Sequence, residues 1–357
     1  MKDIKLPRVA LIFGGRGYEK EVSVLGADNL FGLIDGRKYD KIPIYIDSAG
    51  RFLMPISECA MPSEIARSEI PVREVYPALL GGVSGFAFSG GFMQTDAVFP
   101  LLHGNFGEDG VVQGALECAG ISFVGCDTLG SAAARDKMLL KSIAGSLSIP
   151  TAKAILCRVG EIDSAICECE MTLSYPVFVK PTRLGSSIGA ARANDQSELR
   201  EALLRATALD GRAMIEEYIE IEKELECAYF CAGGEEIFTH PGEILTDGFY
   251  DYDKKYGGLN ESRASADAVQ LVSPCAYGVD GDLIIDYSRR LARTLSLRDI
   301  SRIDFLLSKD GRIYFNEINT MPGFTAASLY LRLVERAGIP PAEAVSRLID
   351  AALSRRA

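Results

Sequence analysis

Arg302, Asp304, Glu317 and Asn319 lie within the stretch RIDFLLSKDGRIYFNEINTMPG, residues 302–323, among runs of Ile, Phe and Leu. A desolvated carboxylate is costly in such company, so these residues call for a chemical reason. Asp310-Gly311 stands between two alternating apolar runs, a strong hairpin signal. A two-residue turn there sets Lys309 opposite Arg312, Asp304 opposite Glu317 and Arg302 opposite Asn319. Opposed residues share a face, with Cβ atoms roughly 4.5–5.5 Å apart. Two carboxylates at that distance repel unless a cation sits between them. An all-oxygen donor set favours magnesium over zinc, and magnesium held by few carboxylates borrows the rest of its shell from water and nucleotide phosphates. The competing reading is a surface network neutralised by Arg302. Asn319 carries no charge to balance, which favours the metal. The following TMPG breaks the strand and offers the Gly323 N–H to a bound oxygen.

Other signals are weaker singly. KPTRLGSSIG places Lys180 at a strand end, followed by Gly185, Ser186 and Ser187, whose N–H groups and hydroxyls suit phosphate. It is not a Walker A loop, because the lysine precedes the glycine and no helix follows at once. Taken alone, a solvated hairpin is its simpler account. Lys137 in ARDKM likewise reads as an ordinary helix lysine. Glu216 and Glu217 in MIEEYI either meet an adenine edge or are surface charge. His103 opens HGNFGEDGVVQG at the end of an apolar strand. A lone histidine is usually structural, but this glycine spacing at the carboxyl end of a parallel strand is where α/β sheets bind ligands.

The elements that must position these groups follow from periodicity. RVALIFGG is a buried strand ending in a glycine turn, and VSVLGADNLFGLI continues as a helix. KIPIYI, DAVFPLLHG and ISFVG read as strands and VVQGALECAG as a helix, predicting a parallel sheet with helices on both faces over about the first 130 residues. Residues 50–90 carry no clear pattern. SAAARDKMLLKSIAGSLSI reads as one helix; YPVFVKP, IGAAR, AMIEEYI and ELECAYFCAG read as strands around the helix NDQSELREALLRA. Together they predict a small antiparallel α+β unit. Residues 245–280 are polar and weakly periodic, as in a lid or linker. The helices GDLIIDYSRRLARTL and PPAEAVSRLIDAALSRR flank the hairpin.

A chain of 357 residues exceeds one ordinary core. With 48% hydrophobic and 24% charged residues it reads as globular, and a net charge of -11 argues against bulk attraction to nucleic acid or anionic lipid. Nine cysteines without a CxxC pair fit reduced thiols, Cys227 and Cys231 as small core residues. The short apolar run VALIF after two lysines is too brief for a signal peptide or a membrane span, so a cytoplasmic protein is expected.

With these pieces assembled, the sequence resembles the D-alanine:D-alanine ligase family of the ATP-grasp superfamily. HGNFGEDGVVQG and RIDFLLSKDGRIYFNEINTMPGFT match its two long signatures; VFVKPTRLGSSIG, FGGRGYEKEVS and FYDYDKKY add three further matches in order. The resemblance implies a Rossmann-like domain over residues 1–130, a small ATP-grasp part over 131–228 and a large catalytic part over 229–357 with a mobile lid near 245–280. It implies ATP, two magnesium ions with manganese able to substitute, D-alanine (or D-serine as second substrate) and a homodimer. Glu19 matches the acid for the first substrate's ammonium, and Ser186 and Tyr256 match the pair that draws the lid shut with it. Arg302 and the Gly323 N–H match the oxyanion donors, and Asp304, Glu317 and Asn319 the metal ligands. Lys137 and Lys180 match the phosphate lysines, while Glu216, Glu217, Ile219 and Glu224 fall at the adenine and ribose contacts. Lys255, Ser328 and the Leu329 amide match the second substrate's carboxylate site, with His103 near the transferring groups. Departures are Asp299 in place of a small residue, Ala327, a longer lid, and one extra residue in YIEIEKELEC, which sets Glu222 against Glu224 for the ribose. They bear on the second substrate more than on the chemistry.

Overall fold

A computed structural model of the chain describes residues 5–17, 19–56, 60–244, 279–326 and 328–355. Strand β1 (Arg8–Gly14) is buried over almost its whole length because it runs in parallel between β2 (Asp40–Ile46) and β7 (Ala97–Leu102). Gly14 has φ +94, and a Cβ there would lie 2.4 Å from the Ile46 carbonyl oxygen, so only glycine permits the turn into α1 (Lys20–Leu33).

The parallel part stops at those strands. β3 (Phe52–Pro55), β4 (Val72–Leu80), β5 (Val83–Phe88) and β6 (Gly91–Gln94) extend the same sheet antiparallel, giving the order β6-β5-β4-β3-β2-β1-β7. The unpatterned residues 50–90 therefore build half a sheet, and the expected wholly parallel sheet is mixed. ISFVG makes only one parallel bridge, Phe123 to Val98. Helices α2 (Pro62–Ala66) and α3 (Val111–Cys118) complete this part.

The expected single helix at 131–149 is two, α4 (Thr128–Arg135) and α5 (Lys137–Ser146). Asp136 breaks them with extended backbone, and its carboxylate accepts the Met138 and Leu139 N–H groups. β8 (Ala154–Arg158), β9 (Val177–Pro181), β10 (Ala191–Ala193) and β11 (Arg212–Glu217) form an antiparallel sheet, order β10-β9-β11-β8, under α6 (Ile162–Thr172) and α7 (Gln196–Asp210). This sheet has its own apolar core around Val177, Val179, Leu199 and Ile215.

The third sheet, order β13-β12-β15-β16, uses β12 (Ile221–Ala232), β13 (Glu235–Phe238), β15 (Ile300–Ser308) and β16 (Ile313–Asn319), with β14 (Gly242–Ile244) paired to β12. Helices α8 (Gly281–Thr294) and α10 (Pro341–Ser354) stand where the sequence put them, and α9 (Leu329–Arg336) is a further helix that the sequence reading did not give. Leu331, Val334, Val345 and Leu348 pack into the same core as Leu11, Phe13, Phe99 and Leu101. The first and third sheets thus share apolar burial, whereas the middle sheet does not.

Candidate active site

The β15–β16 hairpin turns differently from the two-residue expectation. Ser308 N–H bonds the Arg312 carbonyl at 2.9 Å, so Lys309, Asp310 and Gly311 make a three-residue loop with Gly311 at φ +83. Asp310 does not have the positive φ that a type I′ turn demands at both central positions. That turn alone would put Asn316 opposite Asp304 and turn Glu317 to the other face. A bulge at Asn316 restores the register: Phe305 pairs with Phe315, but Asp304 pairs with Glu317 and Arg302 with Asn319. The expected four-residue patch forms, by a turn and a bulge whose offsets cancel.

The neighbouring strand adds a carboxylate that spacing alone did not single out. Glu226 on β12 pairs with Asp304 on β15, so Glu226, Asp304 and Glu317 stand in one row across the sheet. Arg302 chelates Asp304 through Nε at 2.8 Å and Nη2 at 2.7 Å, and its Nε lies 3.1 Å from Glu226. Burial works against the buried Arg302 cation, but Asp304 and Glu226 outweigh it and hold its pKa well above the ordinary value. Glu317 lies 3.1 Å from Lys137 Nζ, and Asn319 Nδ2 donates to Asp304 at 3.0 Å. Arg302 thus serves both Asp304 and Glu226, and Lys137 serves Glu317. The oxygen-only donors Asp304, Glu317 and Asn319 on one face still fit a hard divalent ion, once the Asn319 amide turns its oxygen toward it.

Lys137 begins α5 at the Asp136 break, and its Nζ also donates to the Leu184 carbonyl at 2.6 Å. Lys180, at the end of β9, lies 2.8 Å from Glu216 and 3.3 Å from the Asn316 oxygen at the bulge. The other Glu216 oxygen meets Lys141 at 2.6 Å. Burial pushes the Glu216 carboxyl up, yet Lys180 and Lys141 prevail and hold it below its usual range. Burial, joined by repulsion from Lys180, holds the Lys141 pKa below its ordinary value despite the attraction of Glu216. Glu216 is thus a counter-ion that fixes buried Lys141 and half-buried Lys180, and Lys141 is a site residue that helical spacing could not reveal. Glu217 accepts the Lys153 N–H at 2.8 Å at the edge of the cavity.

Apart from Asn319, these side chains line one cavity together with Ser186, Ile219 and Glu224. The extra residue in YIEIEKELEC is absorbed as a bulge: Ile221 pairs with Ser308 and Lys223 with Leu307, leaving Glu222 without an opposite residue. Glu224 and Glu226 keep their places on the cavity, which Glu222 does not line.

At the neighbouring end, Glu19 N-caps α1 by position and accepts the Ser186 hydroxyl. Ser186 and Ser187 adopt φ +51 and +58, a left-handed path for the loop after β9. Gly104 has φ +71, and a Cβ there would approach Glu19 Oε2 to 2.5 Å. His103 is buried, and burial draws its pKa down. Its Nδ1 lies 3.1 Å from the Met321 carbonyl, so the neutral ring donates there and leaves Nε2 as an acceptor with no partner among the described residues. Glu108 and Arg135, missed by sequence reasoning, form a buried pair beside Glu19, Nη1 to Oε1 at 2.7 Å. Burial raises the Glu108 carboxyl to about 7 despite Arg135. Ser328 precedes α9 and its hydroxyl accepts the Thr325 N–H at 2.9 Å, while a Cβ on Gly323 would meet that hydroxyl at 3.0 Å. Leu329 is buried at the first position of α9. Lys255, Tyr256, Ala327 and the expected lid up to residue 278 lie outside the described residues.

Among known proteins, a family model described as the D-ala D-ala ligase N-terminus matches residues 8–126, and one for the D-ala D-ala ligase C-terminus matches 146–350. D-alanine--D-alanine ligase A of Mesorhizobium japonicum is 36% identical over 98% of this chain and 98% of its own. The D-alanine--D-alanine ligase of Ruminiclostridium cellulolyticum is 35% identical, covering 98% of this chain and 96% of its own. Among solved structures, the VanG D-Ala:D-Ser ligase of Enterococcus faecalis superposes with TM-score 0.82 at 31% identity, over 98% of this chain and all (100%) of that one. The D-alanine-D-alanine ligase of Coxiella burnetii gives TM-score 0.82 at 25% identity, over 98% of this chain and 95% of the other.

Proposed function

Since the chain belongs to the D-alanine–D-alanine ligase family, we propose that it joins two D-alanines at the expense of ATP, making the dipeptide for peptidoglycan precursors. The γ-phosphate passes to the carboxylate of the first D-alanine, and the amine of the second displaces phosphate from the acyl phosphate. Glu19 holds the first ammonium. Lys137 and Lys180 bind phosphate oxygens, with Glu216 and Lys141 fixing Lys180. Ile219, Glu217 and Glu224 border the adenine and ribose. Asp304, Glu317 and Asn319 would hold magnesium, one or two ions, with manganese a substitute; the metal supplies charge neutralisation on the phosphates. Arg302 and the Gly323 N–H carry the oxyanion, a role whose loss costs roughly 10²–10³ in rate. His103 presents Nε2 as a proton acceptor near the second amine. Ser328, the Leu329 amide and Lys255 receive the second carboxylate, and Tyr256 closes over the site with Ser186 and Glu19.

The observation that carries this reading is the lining of one cavity by the oxygen-donor face of Asp304 and Glu317, the cation Arg302 and the lysines Lys137 and Lys180. A nucleotide-binding module without catalysis has no use for an oxyanion donor in that position. Incubation with ATP, Mg²⁺ and D-alanine, with and without D-serine, tests it by phosphate release and dipeptide analysis. D-alanyl-D-alanine with one phosphate per bond is expected. Preferential D-alanyl-D-serine formation would move the chain to the activity named for the VanG relative, and release only with a third amino acid would refute both. Among the described residues no helix is long and apolar enough to cross a membrane. A cytoplasmic location and a homodimer complete the proposal; sedimentation tests the dimer.

A further inference from the structure

Arg135 closes α4 two residues before Lys137, and its side chain is 8% exposed. It spends its hydrogen bonds on two partners: Nη1 donates to Glu108 Oε1 at 2.7 Å and Nη2 to Asn105 Oδ1 at 3.2 Å. Nη2 also stands 3.9 Å from Glu19 Oε2, too far to bond but close enough to act through charge in a buried setting. Glu19 Oε1 is taken by the Ser186 hydroxyl. A Cβ on Gly185 would lie 3.4 Å from Nη1 and 3.3 Å from both Glu19 oxygens, so the glycine loop is pressed against the same pair. Arg135 Nε is buried with no hydrogen-bond partner among the described residues. Three loops, those after β1, β7 and β9, therefore meet around one carboxylate and one guanidinium. An apolar side chain would fill this space without the desolvation penalty of a cation. The charge needs a use.

Resting on the ligase reading above, we propose that Arg135 is a positioning residue for the first amino-acid substrate, orienting Glu19 by charge while leaving Glu19 Oε2 to accept the substrate ammonium. Were Arg135 hydrogen-bonded to Glu19, the ammonium would have to displace it. Instead Glu108 and Asn105 hold the guanidinium back, and Glu108 supplies the second negative charge. The pocket then keeps one carboxylate's worth of attraction for an incoming cation.

The test isolates the first subsite. Hydroxylamine in large excess over D-alanine outcompetes the second amine and traps the acyl phosphate as a hydroxamate with release of phosphate, so the D-alanine dependence of hydroxamate formation reports the first site. In Arg135→Met, the D-alanine KM in this assay is expected to rise roughly tenfold or more, with kcat and the ATP KM within about threefold. Arg135→Lys should recover part of the loss. Glu108→Gln keeps the shape but frees the guanidinium to engage Glu19, so it should raise the same KM; it also serves if Arg135→Met fails to fold. An arginine that merely packs would lower the melting temperature and the active fraction with KM unchanged in the soluble variants, and that result overturns the proposal. Wild-type protein inert toward ATP and D-alanine overturns the ligase reading and this inference with it, whereas active wild type with unshifted variants overturns the inference alone.

Discussion

Replacing Glu108 by glutamine should stabilise the protein at neutral pH even though it removes a salt-bridged charge. The carboxyl is buried, and burial raises it from 4.5 to about 7 against the pull of Arg135 and with the added repulsion of Glu19 and Glu317. The folded state therefore binds this proton more tightly than the unfolded chain does. The resulting stability is fully present below pH 4.5 and is lost as pH rises through about 7. At 1.36 kcal/mol per pH unit, that interval corresponds to about 3 kcal/mol at most. Glutamine mimics the protonated acid in shape and can still accept the Gly104 N–H, which lies 3.2 Å from Glu108 Oε1. Wild type and Glu108→Gln should therefore melt together at pH 4.5, and the variant should melt several degrees higher at pH 8. Differential scanning calorimetry across that range reads the difference directly. A variant that melts with wild type at pH 4.5 but below it at pH 8 would refute the reasoning. It would mean that the ion pair with Arg135 more than repays desolvation, as buried pairs sometimes fail to do.

Three further outcomes follow. Asp304→Asn should abolish most metal-dependent turnover while circular dichroism stays native, because Asn319 and Arg302 still have an oxygen to bond; undiminished activity at low Mg²⁺ would contradict its assignment. Glu216→Gln should raise the ATP KM at least about tenfold, since Lys141 and Lys180 lose their shared counter-ion and repel; an unchanged ATP KM would leave Glu216 a structural counter-ion with no part in nucleotide binding. Asp299→Ala should cost about 2–4 kcal/mol in thermal unfolding. Asp299 binds both Arg355 nitrogens at 2.8 and 2.6 Å and accepts the Gly125 N–H at 2.8 Å. Alanine there would also keep φ +63 without a side chain that tolerates it. Here, unlike Glu108→Gln, the partners are left unsatisfied, so the sign reverses.

The contrast between Lys137 and Arg135 shows where sequence reading stops. Both belong to ARDKM and both look like helix-surface cations. Only the break at Asp136 turns the first toward Glu317 and the second toward Glu108, and that break is visible in the fold, not in helical spacing. Lys141 and Glu226 were hidden for the same reason: each is paired with a residue far along the chain. The antiparallel half of the first sheet, from residues 50–90, left no clean alternation because its strands are partly exposed and do not bury every second residue.

What the sequence determined by itself was local: many of the strands and helices, though not those of residues 50–90 or the break at Asp136, the hairpin, and the residue types that could bind phosphate and metal, because side-chain alternation and turn chemistry act between near neighbours. What only the tertiary structure decided was which charges meet. The carboxylates oppose because a three-residue turn and the Asn316 bulge offset one another, and the buried cations find Glu19, Glu108, Glu216 and Glu317 only when segments far apart in the chain are brought together. Coulomb interactions in a desolvated cleft depend on distance through space, and no spacing along the chain encodes that distance.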